Sequence, residues 1–151
     1  MLRRAILISI FAVTAGAIFA QSGKVDTSKP TAVEGAPQKT SSGVLYWEIT
    51  EGTGDVAKKG NTITVHYTGW LQNGRKFDSS VDRNKPLKFK LASGEGVQGW
   101  VDGISGMKVG GKRQLRVPPK LGYGERGAGN GIIPPNATLV FDVELLSIDK
   151  K

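Results

Sequence analysis

The sequence predicts an α+β domain in which a curved antiparallel β-sheet, a half-barrel, wraps around one short α-helix. Three observations carry that prediction. Val97, Trp100, Val101, Ile104 and Met107 recur at spacings of three and four, the period of a helix with one apolar face. Apolar residues in Thr62 to Thr68, Leu87 to Leu91 and Leu139 to Leu145 alternate with period two, as half-buried strands do. Gly 21 and Pro 7 in 151 residues suit strands and turns better than helices. A lone helix among strands has one good way to bury its stripe, against the concave face of the sheet. Gly99, Gly103 and Gly106 make it a poor helix, at about 1 kcal/mol each against Ala. Packing must therefore hold it, and its small positions let a neighbour approach the backbone closely. Trp100 reads as core filler or as the floor of a pocket walled by the strands.

In chain order, Met1 to Ala20 has Arg3 and Arg4 followed by sixteen uncharged residues ending small. That is the layout of a secretory signal peptide, 1–20, with cleavage after Ala20 and Ala15-Gly16-Ala17 as the competing site. Sixteen residues fall short of the ~20 that span a bilayer comfortably, so no stable membrane span is expected once it is removed. The expected location is periplasmic or secreted; the alternative is an uncleaved segment that holds the protein at a membrane. Residues 21–42 are Ser, Thr, Lys, Pro, Ala and Gly with almost no apolar content. Such a stretch is expected to be a flexible linker, dispensable for stability and activity.

The folded domain is expected over 43–151. Val44 to Ile49 is a strand and Glu51 to Asp55 a turn. In Thr62 to Leu71, Ile63, Val65 and Tyr67 fall on one face and Thr62, Thr64, His66 and Thr68 on the other. Asn73-Gly74 predicts a tight hairpin with φ > 0 at both residues, returning through Arg75 to Ser80. Leu87 to Leu91 is a strand with Leu87, Phe89 and Leu91 inward. After the helix and its Gly110-Gly111 stop, Lys112 to Val117 is a strand ended by Pro118-Pro119. Lys120 to Ala137 is a long Gly/Pro-rich loop with Tyr123, Ile132 and Ile133 at its surface, the kind of loop that usually carries function. Thr138 to Ile148 is the last strand, with Leu139, Phe141, Val143 and Leu145 on one face.

The chemistry absent from the sequence narrows the function classes. Net charge is +8, and +6 from 19 basic and 13 acidic residues once Arg3 and Arg4 are set aside. The charges are scattered, which argues against nucleic acid. There is no cysteine, so disulfides, thiolate nucleophiles, zinc–thiolate sites and lipoprotein acylation are excluded. His66 is the one imidazole. A triad with Ser79 or Ser80 lacks a supporting motif. Gly106 to Lys112 spells seven places of a P-loop, but Arg113 replaces Ser/Thr and the segment follows a helix instead of preceding one. Asn136-Ala137-Thr138 is formally a glycosylation sequon.

Val65-His66-Tyr67-Thr68-Gly69, Lys76-Phe77-Asp78-Ser79-Ser80, Gly99-Trp100, Tyr123-Gly124 and Ala137 to Leu146 occur in that order. Together they resemble the FKBP-type peptidyl-prolyl cis-trans isomerases, from about Gly43 to Ile148. The resemblance implies a pocket walled by Tyr67, Phe77, Leu87, Val97, Trp100, Tyr123, Ile132, Ile133 and Phe141. It implies that Asp78 bonds the Tyr67 hydroxyl and that the Val97 N–H receives a substrate carbonyl. Leu87 stands where the best-known members have Phe, Gly96-Val97 replaces the usual Val-Ile, and the loop after Tyr123 is one residue longer. It further implies proline-containing polypeptides as substrates, rapamycin-type macrolides as inhibitors, no cofactor, and a monomer.

The reaction suits such a pocket. Rotation about an X–Pro bond faces a barrier of ~18–20 kcal/mol, which amide resonance creates. The twisted transition state is less polar than the planar amide, so a dry aromatic basket favours it with no nucleophile or general acid. The expected function is isomerisation that assists protein folding outside the cytoplasm. The alternative is a non-catalytic proline-peptide-binding or chaperone module of the same fold.

Overall fold

The computed structural model describes residues 23–150; the proposed signal segment lies outside the described residues. Seven strands form one antiparallel sheet: β1 (Gln38–Lys39), β2 (Leu45–Thr50), β3 (Thr62–Leu71), β4 (Lys76–Ser79), β5 (Leu87–Lys90), β6 (Lys112–Val117) and β7 (Leu139–Ile148). Their spatial order is β1-β2-β6-β7-β3-β4, with β5 pairing the first half of β3. The sheet is open, and one α-helix, α1 (Gln98–Ile104), packs on its inner face. Two single turns of 3₁₀-helix, Pro119–Leu121 and Gly129–Gly131, lie in the long loop.

Alternation explains why β3 and β7 sit together in the centre. Ile63, Val65, Tyr67, Leu139, Phe141, Val143 and Leu145 are all buried and share one core. The helix closes that core with Trp100 and Ile104. It reaches the sheet because its glycines are bare: a Cβ on Gly99 would come within 2.6 Å of Val117 and one on Gly103 within 2.8 Å of Leu115. The helix is shorter than its apolar stripe. Val97 is its extended N-cap, and Ser105 (ψ 131) and Gly106 (φ 90) turn the chain away before Met107.

Three other expectations are corrected. In the β3–β4 hairpin only Gly74 has positive φ. Leu71 and Arg75 flank a three-residue turn, and the register slips by one between Gly69 and Trp70. That is the longer hairpin loop ending in a left-handed glycine. Leu87 is 37% exposed although Leu91 on the same face is fully buried, because Leu87 starts β5 at the rim of the core. Ile133 is buried in the core and not at the loop surface, held by paired backbone bonds with Ala128.

The largest difference lies in residues 23–42. They do not hang off the domain but cross the outer face of the sheet as a strap. Thr27 Oγ1 donates to Asp82 (2.6 Å) and accepts from Lys76 Nζ (3.0 Å), beyond the β4 edge. The Thr31 N–H and hydroxyl both donate to Asp142 Oδ2 at 2.9 and 2.7 Å, while Gln114 Nε2 donates to Thr31 O and to Asp142 Oδ1. The Trp47 indole donates to Gly35 O, β1 pairs with β2, and Ser42 donates to Asp102. Polar side chains on the outer face, and Asp102 of α1 at the segment's far end, thus hold a polar segment, a route that an apolar-content argument misses.

Candidate functional site

The site is built on the inner face where β3, β4, β7 and α1 meet. Trp100 is 4% exposed and lies edge-on to Tyr67 (ring centroids 4.9 Å) and Phe141 (5.2 Å), with Phe89 at 5.5 Å. Phe77 in turn sits edge-on to Phe141 at 5.7 Å. Such arrangements suit the ring quadrupoles. Gly69 is what lets Phe77 and Phe141 close up, since a Cβ there would lie 2.6 Å from the first ring and 2.8 Å from the second.

One edge of this aromatic cluster is polar. The Tyr67 hydroxyl donates to Asp78 Oδ2 at 2.5 Å and accepts from Arg83 Nη2 at 3.1 Å. Arg83 Nη1 pairs with the other Asp78 oxygen. Partial burial pushes the Asp78 carboxyl up, but bonds from Tyr67 and Arg83 and the Arg83 charge outweigh it, so it titrates below the ordinary range. Burial, then the bond to Asp78, pushes the Tyr67 hydroxyl up, against the pull of Arg83. Tyr123 is raised by burial and then by the Asp78 charge, which places it within that field. The arrangement can present a dry aromatic surface and an oriented hydroxyl, with both titrating partners fixed in charge near neutrality.

The predicted residues divide by depth. Tyr67, Trp100, Phe141, Val97 and Ile133 are buried in one cluster, and Phe77 packs against it. Leu87, Tyr123 and Ile132 are 37%, 41% and 48% exposed and form apolar positions outside that cluster. Sequence reasoning missed two members. Phe89 was placed inward by alternation but not beside Trp100. Arg83 sits in a loop of mixed charges after β4, and nothing in its spacing singled it out. His66 does meet Ser80, with Nδ1 2.8 Å from Oγ, but on the opposite face. Ser80 is fully buried and receives the Tyr67 N–H at 2.8 Å, so it has neither access nor freedom to act as a nucleophile. Among the described residues, no group of three His, Cys, Asp or Glu could hold a metal.

The profile of the family described as "FKBP-type peptidyl-prolyl cis-trans isomerase" matches residues 54–146. The chain belongs to that family. An FK506-binding protein of Neisseria meningitidis serogroup B is 56% identical over 106 residues, covering 70% of this chain and 96% of that one. A probable FKBP-type peptidyl-prolyl cis-trans isomerase of Haemophilus influenzae is 49% identical over 112 residues, covering 74% and 45%. Among solved structures, AtFKBP13 superposes with a TM-score of 0.67 at 44% identity, covering 74% of this chain and 97% of that one. FkpA from Escherichia coli gives 0.70 at 41%, covering 77% and 53%. The FKBP sheet and helix are therefore this chain's sheet and helix. The matched family model begins at residue 54, after the strap.

Proposed function

We propose that the pocket centred on Trp100 catalyses cis–trans rotation of X–Pro bonds in polypeptides, and that the protein does so outside the cytoplasm, delivered by the 1–20 segment. The observation that carries this is the buried Trp100 ring flanked by Tyr67, Phe89 and Phe141, with the Tyr67–Asp78–Arg83 set at its edge. The rings offer the twisted amide a place where the water-favoured planar form gains little. Val97 N–H is the proposed partner of a substrate carbonyl, and Leu87, Ile132 and Tyr123 the apolar contacts for residues around the proline. Rapamycin-type macrolides would occupy the same surface. No helix of the described residues is long and apolar enough to cross a membrane. The direct test is a proline-limited refolding assay on residues 21–151, where absence of catalysis at micromolar enzyme would reject the reading.

Asp78→Ala is expected to lower kcat/KM while retaining most of the stability, since both Asp78 and Arg83 are well exposed and their pairing is screened. An unchanged kcat/KM would point instead to a proline-binding module without turnover. The measurement is kcat/KM on a Leu-Pro peptide beside a denaturant melt.

Turnover is expected to be flat between about pH 6 and pH 8, the range in which an imidazole ordinarily titrates. His66 bonds Ser80 on the outer face, away from the rings. Asp78 has its titration lowered and Tyr67 raised, so neither changes charge in this window. For Asp78 the sign follows from the depressed value: its contribution is complete above the unfolded carboxyl value of about 3.9 and is lost as pH falls through the lower folded one. A sigmoid within the window that vanishes in His66→Gln would overturn the mechanism.

A further inference from the structure

We propose that Arg113, on β6 and outside the pocket, is the positioning residue that sets Trp100. Helix α1 has little to hold it by itself. It is seven residues long, has no side-chain bond at its N-cap, no acidic residue in its first turn and no basic residue in its last. Helices this short are marginal, and their final carbonyls lack partners and carry partial negative charge. Arg113 meets that need from a neighbouring strand. Its Nη1 donates to Gly103 O at 2.8 Å and to Ser105 O at 3.3 Å.

The guanidinium is itself fixed. Nε donates to Glu48 Oε1 at 2.8 Å, Nη2 pairs with the same oxygen, and Cζ lies 4.2 Å from the Tyr46 ring centroid. The side chain is 6% exposed. β2 thus supplies the carboxylate and the aromatic face, β6 carries the cation, and α1 receives it. Only a planar fork of donors serves a carboxylate and two carbonyls at once. Gly103 follows Trp100 by less than one turn, so a clamp at Gly103 and Ser105 fixes the rotation of the helix about its axis. That rotation decides where the Trp100 ring stands between Tyr67 and Phe141.

The proposal rests on Trp100 being the floor of the reaction pocket. Arg113→Lys keeps the charge but loses the fork. It is expected to lower kcat on a prolyl peptide about tenfold with KM nearly unchanged, since a displacement of about 1 Å is worth up to ~10²-fold. The Trp100 indole N–H resonance, assigned with Trp100→Phe, is expected to move. In Arg113→Ala, millimolar ethylguanidinium is expected to restore both kcat and the resonance, which a general loosening of the fold would not do. Should the Arg113 variants fail to fold, Glu48→Gln, which frees one side of the guanidinium, is expected to show a smaller change of the same kind. Folded Arg113→Lys, or Glu48→Gln in its place, with resonance and kcat both unmoved would overturn the clamp. A resonance that moves while kcat holds would instead remove Trp100 from the reaction.

Discussion

Trp100→Ala is expected to lose about 3–5 kcal/mol of stability, the cost of truncating a buried tryptophan, together with most of the isomerase activity. That is a large share of the ~5–15 kcal/mol that typically separates folded from unfolded domains. The ring touches three aromatic neighbours on three strands, β3, β5 and β7. Its removal leaves a void that Tyr67 and Phe141 cannot fill, because each is fixed by its own strand pairing across the centre of the sheet. The indole N–H has no partner among the described residues, so Trp100→Phe sacrifices no hydrogen bond and is expected to retain a larger fraction of both quantities. Urea midpoints and kcat/KM on the three proteins check this. An alanine variant with the wild-type midpoint would show that Trp100 is not the buried centre.

A chain beginning at Gly43 is expected to melt about 5–10 °C lower than one beginning at Gln21, a loss of one to two kcal/mol at the usual ~4–8 °C per kcal/mol. Removing the strap strips Asp142 of two donors and Gln114 of an acceptor. Trp70 and Val140 are only 1% and 6% exposed on that outer face, where strands facing water carry polar residues. Turnover well below the melting range is expected to persist, because all the strap's bonds but the one from Ser42 to Asp102 on α1 are made to the sheet or the loop after β4, away from the aromatic cluster. Equal melting temperatures for the two chains would show that the strap contributes nothing.

Those two outer-face residues also mark what was legible in the sequence. The alternation that placed Ile63, Val65 and Tyr67 inward put Trp70 on the polar side with His66 and Thr68, and Val140 with Asp142 and Glu144. Two apolar residues out of phase were the signal that something covers the face. It was hidden because the covering segment has no apolar period of its own and is held by two polar side chains, Asp142 and Gln114. The limits of β3 and β6 were legible because glycine or proline lies close to their ends, as at Gly111 before β6 and Pro118 after it. The helix was overestimated because Met107 continues the stripe in sequence after Ser105 and Gly106 have already turned the backbone. At the candidate site, the rings and Asp78 could be read from motifs, whereas Arg83 reaches the Tyr67 hydroxyl from a loop that only tertiary structure brings beside it.

The position of β7 governs when this chain can fold. It is the last of the seven described strands in chain order and the one that lies between β6 and β3. Before it emerges, β1, β2 and β6 can form one fragment and β3, β4 and β5 another, with no strand to join them. Ile63 waits for Ile148, and Thr31 waits for Asp142, 111 residues further on. Closing such distant pairings is slow. The sheet therefore closes only once this strand is in place, and deleting residues 139–144, the part of β7 that pairs with β6 and β3 alike, would divide the sheet instead of trimming its edge.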